Sequence, residues 1–142
     1  MGKVYVSWKS VENFVENVEN FIRNEHPTCP GVYGIPRGGL VFAVMLSHKL
    51  SIPMLMSPIE GCLIVDDICD SGESLVHYVK NTSNPDAANK YIIATMFYKD
   101  NRLDIKPDIY YRTKGEDWII YPFEASLKDA KAAFPDEKIE VV

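Results

Sequence analysis

Val11, Phe14, Val15, Val18, Phe21 and Ile22 recur at three- and four-residue spacing, with Glu12, Asn13, Glu16, Asn17, Glu19 and Asn20 filling the other positions. This pattern predicts an amphipathic helix over 11–22 packed on one face. Ser7 or Ser10 is placed to cap its start, and it should fade before Pro27, since the residue preceding a proline disfavours helical geometry. Val4–Val6 just ahead reads as a short strand. Gly31–Ile35 is short and apolar, Pro36-Arg37-Gly38-Gly39 interrupts it, and Leu40–Leu50 is apolar almost all round. Strand, glycine turn and buried helix follow. Ile52–Met56 and Cys62–Val65, separated by Ser57-Pro58 and Gly61, read as central strands of a mostly parallel sheet. A helix is expected over Glu73–Lys80, a polar connection over Asn81–Asn89, and a strand over Tyr91–Phe97. Asp108–Arg112 and Trp118–Tyr121 then read as strands, Ser126–Phe134 as a last helix, and Lys138–Val142 as a frayed tail or edge strand. Alternation of strands and helices predicts an α/β fold with right-handed crossovers.

The chain has 142 residues, without a repeat, linker or low-complexity tract. Residues 1–142 are therefore expected to form a single domain, burying roughly 68% of the unfolded surface. With 46% hydrophobic and 25% charged residues, the composition excludes disordered, collagenous and coiled-coil classes. The net charge of −5 gives a field that repels duplex nucleic acid, so any polyanion must be met by a local site. Cys29, Cys62 and Cys69 cannot all pair and have no zinc-type spacing, which points to a reducing compartment. The uncharged run from Gly38 to His48 is too short to span a bilayer, and the start of the chain lacks an apolar signal region. These features read as a cytoplasmic protein.

The chemistry concentrates in Leu63-Ile64-Val65-Asp66-Asp67-Ile68-Cys69-Asp70-Ser71-Gly72-Glu73-Ser74, a buried strand ending in carboxylates and then a hydroxyl and glycine turn opening a helix. Backbone N–H groups at a helix start, with the Ser71 and Ser74 hydroxyls and a close approach at Gly72, make a phosphate cradle. Carboxylates a few residues upstream would repel that phosphate unless something separates the charges. A sugar between phosphate and reacting centre resolves the conflict, with Asp66 and Asp67 holding ribose hydroxyls or a magnesium ion.

In this stretch the chain resembles the type I phosphoribosyltransferases, whose acidic pair followed by Asp-Thr-Gly binds phosphoribosyl pyrophosphate. Pro36-Arg37-Gly38-Gly39-Leu40 is similar to that family's pyrophosphate loop, and Ser7-Trp8 with the following helix is similar to the start of bacterial xanthine-guanine phosphoribosyltransferases. Thr95-Met96-Phe97-Tyr98-Lys99 and Asp117-Trp118-Ile119-Ile120-Tyr121-Pro122-Phe123-Glu124 resemble the segments with which those enzymes hold a 6-oxopurine. The resemblance implies a mostly parallel sheet flanked by helices, with a small C-terminal base-binding segment. It implies Asp66 and Asp67 at the ribose diol and magnesium, Asp67 as the metal ligand, and Ser71, Gly72, Glu73 and Ser74 at the 5′-phosphate. Asp70 would be the catalytic acid or base at purine N7. Arg37 and Gly38 would face the pyrophosphate, Lys99 the 6-oxo group, and Trp118 and the Ile119 backbone the base. Mg2+ is the implied cofactor, phosphoribosyl pyrophosphate and guanine, xanthine or hypoxanthine the substrates, and a homodimer or homotetramer the implied assembly.

Taken singly, each assignment has a plainer competitor: the Asp pair can cap a helix, Pro-Arg-Gly-Gly can be an ordinary turn, Lys99 a solvated turn residue and Trp118 core. Trp8, His48, Cys62 and Cys69 read as structural, and His77 as surface or satisfied core. One departure from the family stands out: only Ser57–Gly61 connects the strands where relatives carry a long hood loop. The short connection predicts slower transfer, more hydrolysis or a site sealed by a partner subunit. It also keeps open a non-catalytic phosphoribosyl pyrophosphate or nucleotide sensor.

Overall fold

The computed structural model describes residues 2–79 and 90–142, with Val79 described by its backbone only. The expected polar connection Asn81–Asn89 and the end of the preceding helix at Lys80 lie outside the described residues. The chain divides into two compact units, Met1–Asn13 with Lys114–Val142, and Phe14–Thr113. The described elements run β1 (Lys3–Tyr5), α1 (Trp8–Glu25), β2 (Val32–Gly34), α2 (Gly38–Leu50), β3 (Leu63–Cys69), α3 (Val76–Val79), β4 (Ile92–Tyr98), β5 (Ile109–Thr113), β6 (Trp118–Ile120), α4 (Leu127–Ala133) and β7 (Ile139–Val141).

The larger unit is built on a four-stranded sheet in the order β2-β3-β4-β5, every neighbouring pair parallel. Leu63, Ile64 and Val65 on β3 and Ala94 and Met96 on β4 are fully buried. Near-continuous apolar runs of this kind belong to parallel strands covered on both faces. Phe14, Val15, Val18 and Ile22 of α1 are buried as the periodicity predicts, while Phe21 is only partly covered and meets His26 edge-on. Phe14 packs edge-to-face on Phe42 of α2 with centroids 5.2 Å apart. Arg23 of α1 donates to the Lys49 carbonyl in the last turn of α2 at 2.7 Å, satisfying one of that helix's terminal acceptors.

In the smaller unit β6-β1-β7 form a second, wholly parallel sheet of three strands. Tyr5, Ile120 and Ala130 make its core, with Leu127, Phe134 and Ile139 packed against them. Ser126 caps α4 by accepting from the Asp129 N–H at 3.1 Å, and Ser7 accepts from the Ser10 N–H at 3.1 Å at the start of α1. Of the two serines placed to cap α1, Ser7 does so. The C-terminal stretch is an edge strand, not a frayed tail.

Three expectations are corrected. Ile52–Met56 is not a central strand: it makes one bridge, Met54 to Val32, outside β2, with Met54 and Met56 exposed. Pro53 has no N–H to donate, which limits pairing to the Leu55 N–H on the Val32 carbonyl and the Val32 N–H on the Pro53 carbonyl. The second correction extends β3 to Cys69, so that Asp66 and Asp67 lie within the strand, Asp66 opposite Thr95. Third, the helix expected from Glu73 begins at Val76, after a turn closed by the Leu75 N–H on the Gly72 carbonyl at 3.1 Å. The connection over 57–61 is a tight turn, with Gly61 at φ +80° and its N–H on the Lys90 carbonyl.

Candidate active site

Parallel pairing brings the carboxyl ends of β2, β3 and β4 to one end of the sheet, where ligands of open α/β sheets characteristically sit. Gly34 lies opposite Val65, and the Ile35 N–H continues the ladder onto the Val65 carbonyl at 3.0 Å. The turn Pro36–Gly39 therefore passes beside Asp66 and Asp67. At Gly38 a Cβ would run into the Asp67 carboxylate, so the glycine is what lets the start of α2 lie against that acid. Arg37 is exposed at the helix start, and its carbonyl accepts from the Leu40 N–H at 3.1 Å.

One register further along the sheet, Cys69 lies opposite Tyr98, and the Lys99 N–H donates to the Cys69 carbonyl at 2.8 Å. Asp70 and Lys99 are thus the next residues on adjacent strands, and Lys99 Nζ stands 3.8 Å from Asp70 Oδ1. This joins two residues that the chain separates widely. Gly72 turns the backbone at φ +85°, in the region glycine favours, and a Cβ there would lie 3.0 Å from Ile105 and 3.1 Å from Asn101 Oδ1. Ser71 Oγ accepts from the Glu73 N–H at 3.3 Å, so Ser71, Gly72, Glu73 and Ser74 form a turn of their own instead of a helix start. Ser71, Glu73 and Ser74 are exposed.

The acidic pair divides inward and outward. Asp66 is 6% exposed; its Oδ1 accepts from the Asp67 N–H at 2.8 Å and its Oδ2 from the Ser74 hydroxyl at 3.3 Å. Burial, and then the neighbouring Asp67 carboxylate, push Asp66 up to about 8. Asp67 is less buried, and its Oδ1 accepts from the Ile68 N–H at 2.8 Å. Among the described residues no cluster of three or more acidic, His or Cys groups is gathered as an all-protein metal cage. Two adjacent carboxylates at a phosphate turn fit magnesium, which takes one or two carboxylates and fills its other positions with water and substrate oxygens.

A cavity of about 450 Å³ opens here, lined by Asp70, Ser71, Glu73 and Lys99 together with Asp100, Asn101, Arg102 and Leu103. Sequence reasoning missed Asn101 and Arg102. The signal was modest: Asp100-Asn101 is a turn pair directly after a strand. Trp118 and Ile119 belong to the smaller unit. Trp118 is 58% exposed with Lys3 Nζ 5.5 Å from its ring centroid, and Ile119 is buried opposite Val4.

The strand ends of this parallel sheet thus bring together an acidic pair, a Ser-Gly turn and an Asp-Lys pair. No protein-family model and no curated protein sequence matches the chain. Among solved structures it is similar to a purine phosphoribosyltransferase from Pyrococcus horikoshii, 28% identical over 88% of this chain and 96% of that one, with a TM-score of 0.70. It is also similar to the xanthine-guanine-hypoxanthine phosphoribosyltransferase of Helicobacter pylori, at 21% identity over 93% and 99% of the two chains and a TM-score of 0.70. A Neisseria gonorrhoeae protein solved with bound ppGpp is 19% identical over 94% and 96%, with a TM-score of 0.65. The chain thus has the α/β fold of the type I phosphoribosyltransferases, with the Asp66-Asp67 to Ser74 stretch at the end of its β3 strand.

Proposed function

We propose that this protein transfers the phosphoribosyl group of phosphoribosyl pyrophosphate to a 6-oxopurine (guanine, xanthine or hypoxanthine), giving a nucleoside monophosphate and pyrophosphate. The observation that carries the reading is Asp70 beside Lys99 at the ends of β3 and β4. A carboxylate and an ammonium side by side match the N7 proton and the O6 acceptor on one edge of a 6-oxopurine. An adenine ring, with an amino group at that edge, offers Lys99 no acceptor there.

In this mechanism the N9 lone pair forms the bond to C1′ as the bond from C1′ to the pyrophosphate oxygen breaks, and the electron pair leaves with pyrophosphate. The proton displaced from the imidazole ring passes from N7 to Asp70. Asp67 beneath the ribose stabilises positive charge as it develops at C1′ and the ring oxygen, and Asp66, protonated near neutral pH in the free protein, adds its charge where a bound cation displaces that proton. Arg37 and the Gly38 backbone receive the pyrophosphate, and Ser71, Gly72, Glu73 and Ser74 the 5′-phosphate. Ser74 would exchange its bond to Asp66 for one to phosphate. Asp67, with Asp66 behind it, would hold Mg2+, which when bound supplies neutralisation of the pyrophosphate charge. Trp118 stacks on the base and the Ile119 backbone meets its edge. Residues 1–142 act as one phosphoribosyltransferase domain, in a homodimer or homotetramer, in the cytoplasm. Among the described residues no helix is long and apolar enough to cross a membrane.

The second reading, a non-catalytic phosphoribosyl pyrophosphate or nucleotide sensor, is favoured by the tight 57–61 turn. One assay separates them: phosphoribosyl pyrophosphate and magnesium are supplied with guanine, xanthine, hypoxanthine or adenine, and nucleotide and pyrophosphate are quantified. The proposal expects product from a 6-oxopurine, with turnover falling by roughly 10²–10⁴ in Asp70→Asn. Donor binding without product would establish the sensor instead.

A further inference from the structure

We propose that Arg102 is a substrate-binding residue that holds the 5′-phosphate of the donor in the cavity it lines together with Ser71 and Glu73. The inference rests on the phosphoribosyl reading of the site. Among the described residues lining the cavity, the cations are Lys99 and Arg102, against the carboxylates of Asp70, Glu73 and Asp100. Lys99 shares its charge with Asp70 at 3.8 Å. The phosphate turn itself offers only neutral donors, the Ser71 and Ser74 hydroxyls and backbone amides. A dianionic phosphate at that turn, with Glu73 on it and Asp70 preceding it, therefore needs a cation from elsewhere in the cavity lining, and Arg102 supplies one. Its guanidinium presents a planar fork of donors suited to phosphate oxygens.

Arg102 is also held in place from both sides. Asn101 Nδ2 donates to the Ile105 carbonyl at 2.7 Å and the Lys99 carbonyl at 3.3 Å, and Asn101 Oδ1 accepts from the Ile105 N–H at 2.9 Å. The Asp104 N–H closes on the Asn101 carbonyl at 3.2 Å. The same Asn101 Oδ1 stands where a side chain on Gly72 would crowd it, 3.1 Å from the position of a Cβ. Asn101 thus pins the loop that carries Arg102 directly against the phosphate turn.

The test is calorimetric titration of the wild-type protein, Arg102→Gln and Arg102→Lys with phosphoribosyl pyrophosphate, ribose 5-phosphate and inorganic pyrophosphate, all in magnesium. The expected result is that Arg102→Gln binds phosphoribosyl pyrophosphate and ribose 5-phosphate on the order of tenfold more weakly, as loss of one charge-assisted contact implies. Arg102→Lys should recover part of the loss, pyrophosphate affinity should stay the same, and the unfolding midpoint of this exposed position should not move. Equal binding of ribose 5-phosphate by wild type and Arg102→Gln would overturn the role of Arg102 and leave the phosphoribosyl reading standing. A loss confined to pyrophosphate would overturn the assignment to the 5′-phosphate. Failure of the wild-type protein to bind either sugar phosphate would overturn the underlying reading and this inference with it.

Discussion

Replacing Gly38 and Gly39 separately by alanine tests how α2 meets the acidic strand. Both residues open α2, and helix propensity alone favours alanine over glycine by up to about 1 kcal/mol at each position. At Gly39 the geometry reverses that expectation. A Cβ there would run into the Val65 carbonyl oxygen, and would lie 3.2 Å from the Val65 carbonyl carbon and 3.3 Å from the Asp66 Cα. These are backbone atoms of a buried strand, which cannot rotate aside, so the first turn of α2 must lift from β3. Overpacking of this kind costs about 1–3 kcal/mol, and the upper end applies where backbone opposes backbone. Net of propensity, Gly39→Ala should destabilise by about 2 kcal/mol. For a chain of this size that corresponds to a fall in the unfolding midpoint of roughly 6–10 °C. At Gly38 the obstacle is the Asp67 side chain, which can turn away. Gly38→Ala should therefore stay within about 1 kcal/mol of wild type in stability, yet displace the carboxylate assigned to magnesium and weaken donor binding. Urea and thermal unfolding in metal-free buffer, with calorimetric titration of phosphoribosyl pyrophosphate in magnesium, read out both effects. If Gly39→Ala is as stable as wild type, or Gly38→Ala loses the more stability of the two, the packing argument is wrong.

Asp66 supplies a pH prediction: its folded value of about 8 stands against an ordinary 3.8, so folding favours its protonated form. That stabilisation is complete below about pH 4 and drains as pH rises through about 8; in metal-free urea titrations wild type should lose about 2 kcal/mol more than Asp66→Asn between pH 6 and 8.5. Parallel pH profiles for the two proteins would contradict it. Among the thiols, burial pushes Cys62 up, and burial followed by the charges of Asp66 and Asp70 pushes Cys69 up to about 11. Cys29 is only partly covered, so at pH 8 an alkylating reagent should label it at least about tenfold faster than either buried thiol, as followed by peptide mass analysis. Faster labelling at Cys69 would contradict its burial. Trp118→Ala should cost about 1–3 kcal/mol in purine binding if the exposed ring stacks on the base. An unchanged base affinity by titration would leave Trp118 as a surface ring beside Lys3.

Much of the fold was legible in local pattern. The 3.6-residue period carried the buried face of α1 through Val11, Phe14, Val15, Val18 and Ile22, and the last helix read over Ser126–Phe134 is α4. The apolar run at Cys62–Val65 read as a buried strand of a parallel sheet and Tyr91–Phe97 as another strand, as found, while Asp66-Asp67 with Asp70-Ser71-Gly72 pointed to a sugar-phosphate site because that pattern is read within a few consecutive residues. Pairing is a different matter. Whether Ile52–Met56 becomes a strand depends on which neighbour offers hydrogen bonds, and Pro53 leaves it with one bridge beside Val32. The strand character of Asp66 depends on Thr95 opposite it, and the meeting of Asp70 with Lys99 depends on the register of Cys69 against Tyr98. The inward burial that raises Asp66, the Asn101 bonds that seat Arg102 beside the phosphate turn, and the contact of Gly38 with Asp67 likewise join distant segments. Amino-acid type and spacing determined which residues are candidates for the chemistry; only tertiary packing decided which of them face one another, since distance and burial set the strength of every charge and hydrogen bond among them.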